Sequence, residues 1–325
     1  MRKEFLTHFN INLDLALEAR EIIRGETGKE IPGARIDRER YQFAEVTTVI
    51  IEEKSAAAIM GKPIGTYITI EAPVIRQNNQ QAHREVTGIL SKQLTSLFDL
   101  SMEANVLVVG LGNWNATPDS LGPTVIGKTL VTRHLFKYAP GELKGGMRPV
   151  SALAPGVLGI TGIETAEIIR GVVEKVQPEL VIAVDSLAAR NVARIATTIQ
   201  IADTGINPGS GIGNQRTGIN KETMGVPVIA IGVPTVCHAA VIAKDAIDLY
   251  QAEKDKAFAP NQYARGNDTQ DEVINKVLEP FAGDLTVTPK EIDTLIKDTA
   301  NIIAGGISLS LHPGIPAEDY AYYLH

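Results

Sequence analysis

The 325-residue chain contains a single cysteine, Cys237, and a single tryptophan, Trp114. One cysteine excludes an intrachain disulfide and any multi-cysteine metal site, and makes a cytoplasmic home the default. No apolar run approaches the ~18–20 residues needed to span a membrane. The first residues, MRKEFLTHFNINLD, lack the apolar core of a secretory signal. No Lys/Arg-rich run offsets the net charge of −7, so nothing favours direct binding to nucleic acid. Internal repeats and low-complexity tracts are absent as well. What remains, 44% apolar and 21% charged residues, is an ordinary globular composition with enough length for a substantial core.

The most informative stretch is 106–123, VLVVGLGNWNATPDSLGP. Four apolar residues run into Gly110-Leu111-Gly112-Asn113, the pattern of a buried strand emptying into a glycine turn, where open α/β sheets place their ligand and catalytic loops. Further buried strands are expected at 148–153, 180–184, 198–202 and 226–233. Helices are expected between them at 122–136, 165–176, 186–194 and 239–251. This alternation predicts an α/β fold with a mostly parallel, doubly wound sheet flanked by helices. Upstream, a helix at 15–24 precedes two strands, 41–51 and 65–74. They read as a small antiparallel addition (about 40–75) outside the main sheet, and an amphipathic helix follows at 78–100. A polar linker at 252–268 leads to C-terminal helices at 271–278 and 289–311. Residues 15–325 thus read as a single α/β domain.

Two acids carry the chemistry. Asp185 follows five apolar residues, Leu180 to Val184, at the carboxyl end of a strand. Asp119 lies in the loop after the first strand, with a helix N-cap as its plain alternative role. Held close, two carboxyls repel, so one keeps its proton as an acid while the other stays ionised as a base. Such a pair can activate water against a peptide carbonyl and protonate the leaving amine. Gly112 and Asn113 are neighbours of that site, and Arg190 is a candidate to orient substrate. His238 is expected at the same sheet edge. With Asp119 and Asp185 it would supply one nitrogen and carboxylate oxygens, adequate for a divalent ion. Ser151, Ser186 and Cys237 lack the surroundings of an activated nucleophile. Gly110-x-Gly112 lacks the third glycine of a dinucleotide fingerprint. Asp203-Thr204-Gly205 reads as a turn into the glycine-rich loop 207–214, which can bind an anion through its amides.

Several segments together, GLGNWNATPDSLGP, RPVSALAPGVLGITGIETAEII, VIAVDSLAAR, TIQIADTGINPGSGIGN and GVPVIAIGVPTV, closely resemble the germination protease (spore protease) family of endospore-forming bacteria. The resemblance runs from NLDLALEARE to VTPKEIDTLIKDTANIIAGG. It implies an endopeptidase of the forespore and spore core that degrades small acid-soluble spore proteins, with a fold related to the hydrogenase maturation endopeptidases. It implies Asp119 and Asp185 as the catalytic aspartates, with no cofactor and no resident metal, and a homo-oligomeric assembly. It also implies a zymogen that removes its own propeptide, residues 1–14, by cutting between Asp14 and Leu15. Two rival readings stand beside it. One is a metal-dependent maturation-type endopeptidase using Asp119, Asp185 and His238. The other is a non-enzymatic anion- or nucleotide-binding module using the Gly110 and 209–213 loops.

Overall fold

The expected apolar runs form the middle of one sheet. The computed structural model describes residues 3–9, 11–143, 146–207, 216–257, 267–281 and 285–315. Among them lie nine strands: Ala34–Arg40 (β1), Glu45–Ile51 (β2), Gly65–Glu71 (β3), Val106–Gly110 (β4), Val150–Leu153 (β5), Leu180–Ala189 (β6), Thr198–Ala202 (β7), Val228–His238 (β8) and Thr286–Val287 (β9). They pair in the order β1-β2-β3-β7-β8-β6-β4-β5, with β9 added to the far end of β8. Strands β8, β6, β4 and β5 run parallel. The β1, β2, β3 and β7 pairings, and β7 on β8, are antiparallel.

Strand alternation explains why the parallel half is apolar throughout. Val106, Val108, Ile182 and Val184 face a large core shared with the helices Gln80–Thr95 and Ile292–Leu311. Leu107, Val109, Val181 and Ala183 point the other way, onto Ala166, Ile169 and Val173 of the helix Thr165–Val176. Both faces are covered, as parallel sheets require. The α/β class and the helix-flanked parallel strands are as the sequence predicts.

Several details differ. The N-terminal strands are not a separate piece, because β3 pairs with β7 and carries the same sheet outward. Strand β1 was not expected: ARIDRER is largely exposed, and its charges suit a sheet edge that must not pair further. The helix expected at 186–194 is instead the continuation of β6 as far as Ala189, followed by a 3-10 turn, Val192–Arg194. Leu187 to Ala189 favour helix locally, but the ladder to Pro234, Val236 and Cys237 overrides that preference. The helix expected at 122–136 divides into Leu121–Ile126 and Arg133–Tyr138, with Thr132 N–H donating to the Val150 carbonyl between them.

The helix Ala239–Ala257 runs past the expected 251 into the expected linker, of which 258–266 lie outside the described residues. No helix among the described residues is long and apolar enough to cross a membrane.

Candidate active site

Strand β4 delivers its loop to the carboxyl end of β6, where Leu111 N–H donates to the Val184 carbonyl at 2.8 Å. Gly112 takes φ +111°, and a Cβ there would lie 2.1 Å from the Asp119 carbonyl oxygen, so only glycine lets the loop fold this tightly. Asn113 N–H then donates to the Asp119 carboxylate (Oδ2, 2.8 Å). The carboxylate does not cap the helix Leu121–Ile126, which has no side-chain cap. It stays half-buried at the end of the 3-10 turn Thr117–Asp119.

Asp185 is 5% exposed and sits within β6. Its Oδ1 accepts from the next backbone N–H, that of Ser186, at 2.8 Å. Burial pushes its carboxyl well above the usual range, and the charges of Asp119 and Asp14 push it further, against the Ser186 hydrogen bond. Burial also raises Asp119, opposed by the Asn113 N–H and by Arg216. The charge of Asp119 is thus felt at Asp185, and burial and that neighbour together favour the protonated form of Asp185.

Register puts a third polar group in line. Asp185 pairs with Gly232 on β8, and Gly232 pairs on its other side with Gln200 on β7. Paired residues share a face, so the Asp185 and Gln200 side chains stand on one side of the sheet, two strand spacings or roughly 9.5 Å apart. The residue between them has no side chain.

A segment of the chain itself lies there. The Asp14 carboxylate accepts from Ala188 N–H at 3.0 Å (Oδ2), three residues past Asp185. The Asp14 carbonyl accepts from Lys62 Nζ at 2.9 Å and from Gln200 Nε2 at 3.2 Å. Ala16 N–H donates to Gln200 Oε1 at 2.7 Å. Leu15 and Ala16 are wholly buried. Upstream, Phe5, Leu6 and Ile11 pack into the main core. A cleft of about 670 Å³ runs beside this segment, bordered by Leu13, Ile22, Lys62 and Arg216 among others.

The remaining candidates fall elsewhere. His238 is six residues beyond Gly232 on β8, about 20 Å along an extended strand, and pairs with Thr286. Among the described residues no group of three or more His, Cys, Asp or Glu side chains can hold a metal ion. The Arg190 backbone N–H donates to both Glu18 carboxylate oxygens at 3.1 Å, its guanidinium meets Asp245 at 3.9 Å, and its buried Nε has no hydrogen-bond partner among the described residues. Cys237 is buried, and burial pushes its thiol up to about 12, far from a thiolate at neutral pH. Asp203 accepts from Thr66 N–H at 2.8 Å and so ties the turn to β3. Of the glycine-rich loop, 208–214 lie outside the described residues.

Lys62, Gln200 and Arg216 were not singled out from sequence. A glutamine in the middle of the apolar strand TIQIA was the one available signal.

A family model described as Germination protease matches residues 13–262 and 251–324. The germination protease of Clostridium tetani is 45% identical over 322 residues, covering 97% of this chain and 100% of the relative. That of Caldanaerobacter subterraneus is 47% identical over 321 residues, covering 97% and 98%. That of Clostridium perfringens is 46% identical over 324 residues, covering 98% and 100%.

Proposed function

Since the chain belongs to the germination protease family and is therefore a peptidase, we propose that it is made as a self-processing zymogen whose Asp119–Asp185 pair hydrolyses small acid-soluble spore proteins during germination. The observation that carries this reading is the placement of residues 14–16 across the end of β6, with Asp14 close enough for its charge to be felt at Asp185.

In this reading Asp119, the less buried carboxyl, is the base. Its Asn113 N–H and Arg216 favour the ionised form. It takes a proton from water as the water oxygen bonds to the Asp14 carbonyl carbon. Asp185, whose burial favours the protonated form, gives its proton to the Leu15 nitrogen as the C–N bond breaks. The products are a peptide ending at Asp14 and a chain starting at Leu15. One water is consumed, and the pair again holds a single proton.

Specificity follows from the same contacts. The Ala188 N–H reads an acidic side chain before the cut, and the burial of Leu15 and Ala16 calls for an apolar and then a small residue after it. Mapping the cuts that purified mature protein makes in an acid-soluble spore protein tests this. Cuts after Asp or Glu and before an apolar residue are expected, with Asp119→Asn slower by about 10²–10⁴-fold, the usual worth of a general acid or base. Cuts after basic residues, or full activity in Asp119→Asn, would overturn it.

A further inference from the structure

Resting on the reading of Asp14–Leu15 as the bond that is cut, we infer that Lys62 and Gln200 form the oxyanion site of this peptidase, and that Gln200 sets the register of the bound chain. The two residues converge on one atom: Lys62 Nζ and Gln200 Nε2 both donate to the Asp14 carbonyl oxygen, at 2.9 and 3.2 Å. Each is fixed by its own element. Gln200 is 9% exposed and held in β7 between Thr69 on β3 and Gly232 on β8. Lys62 follows the left-handed Gly61 that ends the helix Lys54–Met60, and its own N–H donates to the Ala57 carbonyl. Neither donor has to reorganise when the reaction begins, which is what makes such groups effective.

The chemistry asks for donors at this oxygen. When the water oxygen bonds to the Asp14 carbonyl carbon, the C=O π pair moves onto the carbonyl oxygen. That atom changes from a weak acceptor to an oxyanion, and hydrogen bonds from an ammonium and an amide strengthen accordingly. When the intermediate collapses the pair returns to the carbonyl, and the C–N bond electrons leave with the Leu15 nitrogen, which takes its proton from Asp185. Lys62 and Gln200 give up no proton and form no covalent bond. Burial lowers the lysine below its usual value, and the charges of Asp14 and Glu18 offset part of that fall.

Gln200 does a second thing that Lys62 does not. Its Oε1 accepts from Ala16 N–H at 2.7 Å while its Nε2 donates to the Asp14 carbonyl. One amide side chain thus spans Leu15 and reads the peptide groups on either side of it. Sliding the segment by one residue would break both bonds together. Because only backbone is read, the same fork suits any substrate chain laid in this direction, and side-chain choice is left to the pockets around it.

The test compares Lys62→Met, Gln200→Glu and Asp185→Asn in the full-length chain. Self-cleavage is followed by intact mass, and the seating of residues 11–17 by hydrogen exchange. Glutamate can still accept from Ala16 N–H but cannot donate to the Asp14 carbonyl. Each of the first two variants is expected to slow the cut by about 10²–10³-fold, the usual cost of losing one oxyanion donor, with exchange at Ala16 as slow as in the wild type. Wild-type rates in both, with Asp185→Asn inert, would overturn the oxyanion site and leave the carboxyl pair standing. A slower cut accompanied by fast exchange at Ala16 in both would also overturn it, because the residues would then only seat the segment. Wild-type cleavage by Asp185→Asn would instead overturn the carboxyl-pair reading beneath it.

Discussion

In the proposed reaction the two halves of the sheet divide the labour. The parallel half, β8-β6-β4-β5, supplies the Asp185 carboxyl from within β6 and the Asp119 carboxyl from the loop after β4. The antiparallel half, through β7 and the turn before β3, offers Gln200 and Lys62, which grip the segment that passes over it. The Asp119 loop leaves the carboxyl end of β4, where the loops of a parallel sheet converge on one edge. A backbone grip suits the middle of a fixed ladder, where a side chain cannot drift. Gly232 is where the halves meet, with Asp185 on one side and Gln200 on the other.

The division can be broken at the tie between the halves. Glu18 is wholly buried. It accepts from Arg190 N–H just beyond β6 and pairs with Arg194 at 3.2 Å, and Arg194 in turn reaches Glu71 on β3. Glu18→Ala leaves the Arg190 N–H without its acceptor and takes one carboxylate from Arg194, which keeps Glu21 at 2.7 Å and Glu71 at 3.2 Å. It is expected to cost about 1–3 kcal/mol, the usual penalty for a buried donor left unsatisfied, read from denaturant melts, and to slow self-cleavage.

Asp185→Asn should act in the opposite direction on stability. A carboxyl whose folded pKa lies above its unfolded value binds more protons when folded, so stability falls as pH rises through the interval between the two. Asparagine does not carry that loss. Uncleaved Asp185→Asn should therefore melt higher than uncleaved wild type at neutral pH, by about 1.4 kcal/mol for each unit of the shift, with the gain vanishing below about pH 4. Equal melting at both pH values would mean that Asp185 is not held as a buried acid.

Gly232→Ala sharpens the meeting point. The added Cβ would lie 2.4 Å from Leu187 Cδ1, so Leu187 must shift, at a cost of about 1–3 kcal/mol with slower cleavage. At the outer edge the expectation is small. Arg38 meets Glu45 at 3.9 Å in solvent on β1, and Arg38→Ala should change stability by about 0–1 kcal/mol and leave cleavage as it was.

The same contrast explains what was legible beforehand. VLVVG and LVIAVD announce buried parallel strands by unbroken apolar runs, and an acid directly after such a run stands out. The outer half hides its function. ARIDRER is an edge strand that looks like a charged loop, and TIQIA conceals its glutamine among residues that alternate in any half-buried strand. Lys62 sits in a turn, and only the tertiary path of residues 14–16 gives it a task. The stretch from Ser186 to Ala189 misleads because its partner, the end of β8, lies more than forty residues away in sequence. His238 illustrates the limit of placing residues by sheet edge alone, since β8 carries it well past the level of Asp185.

The most direct measurement is the intact mass of the purified full-length chain over time across a pH series, beside Asp185→Asn. The account predicts that the wild type loses residues 1–14 and begins at Leu15, while Asp185→Asn remains whole throughout. The same loss in both proteins, or a wild-type cut at a different junction, would contradict it.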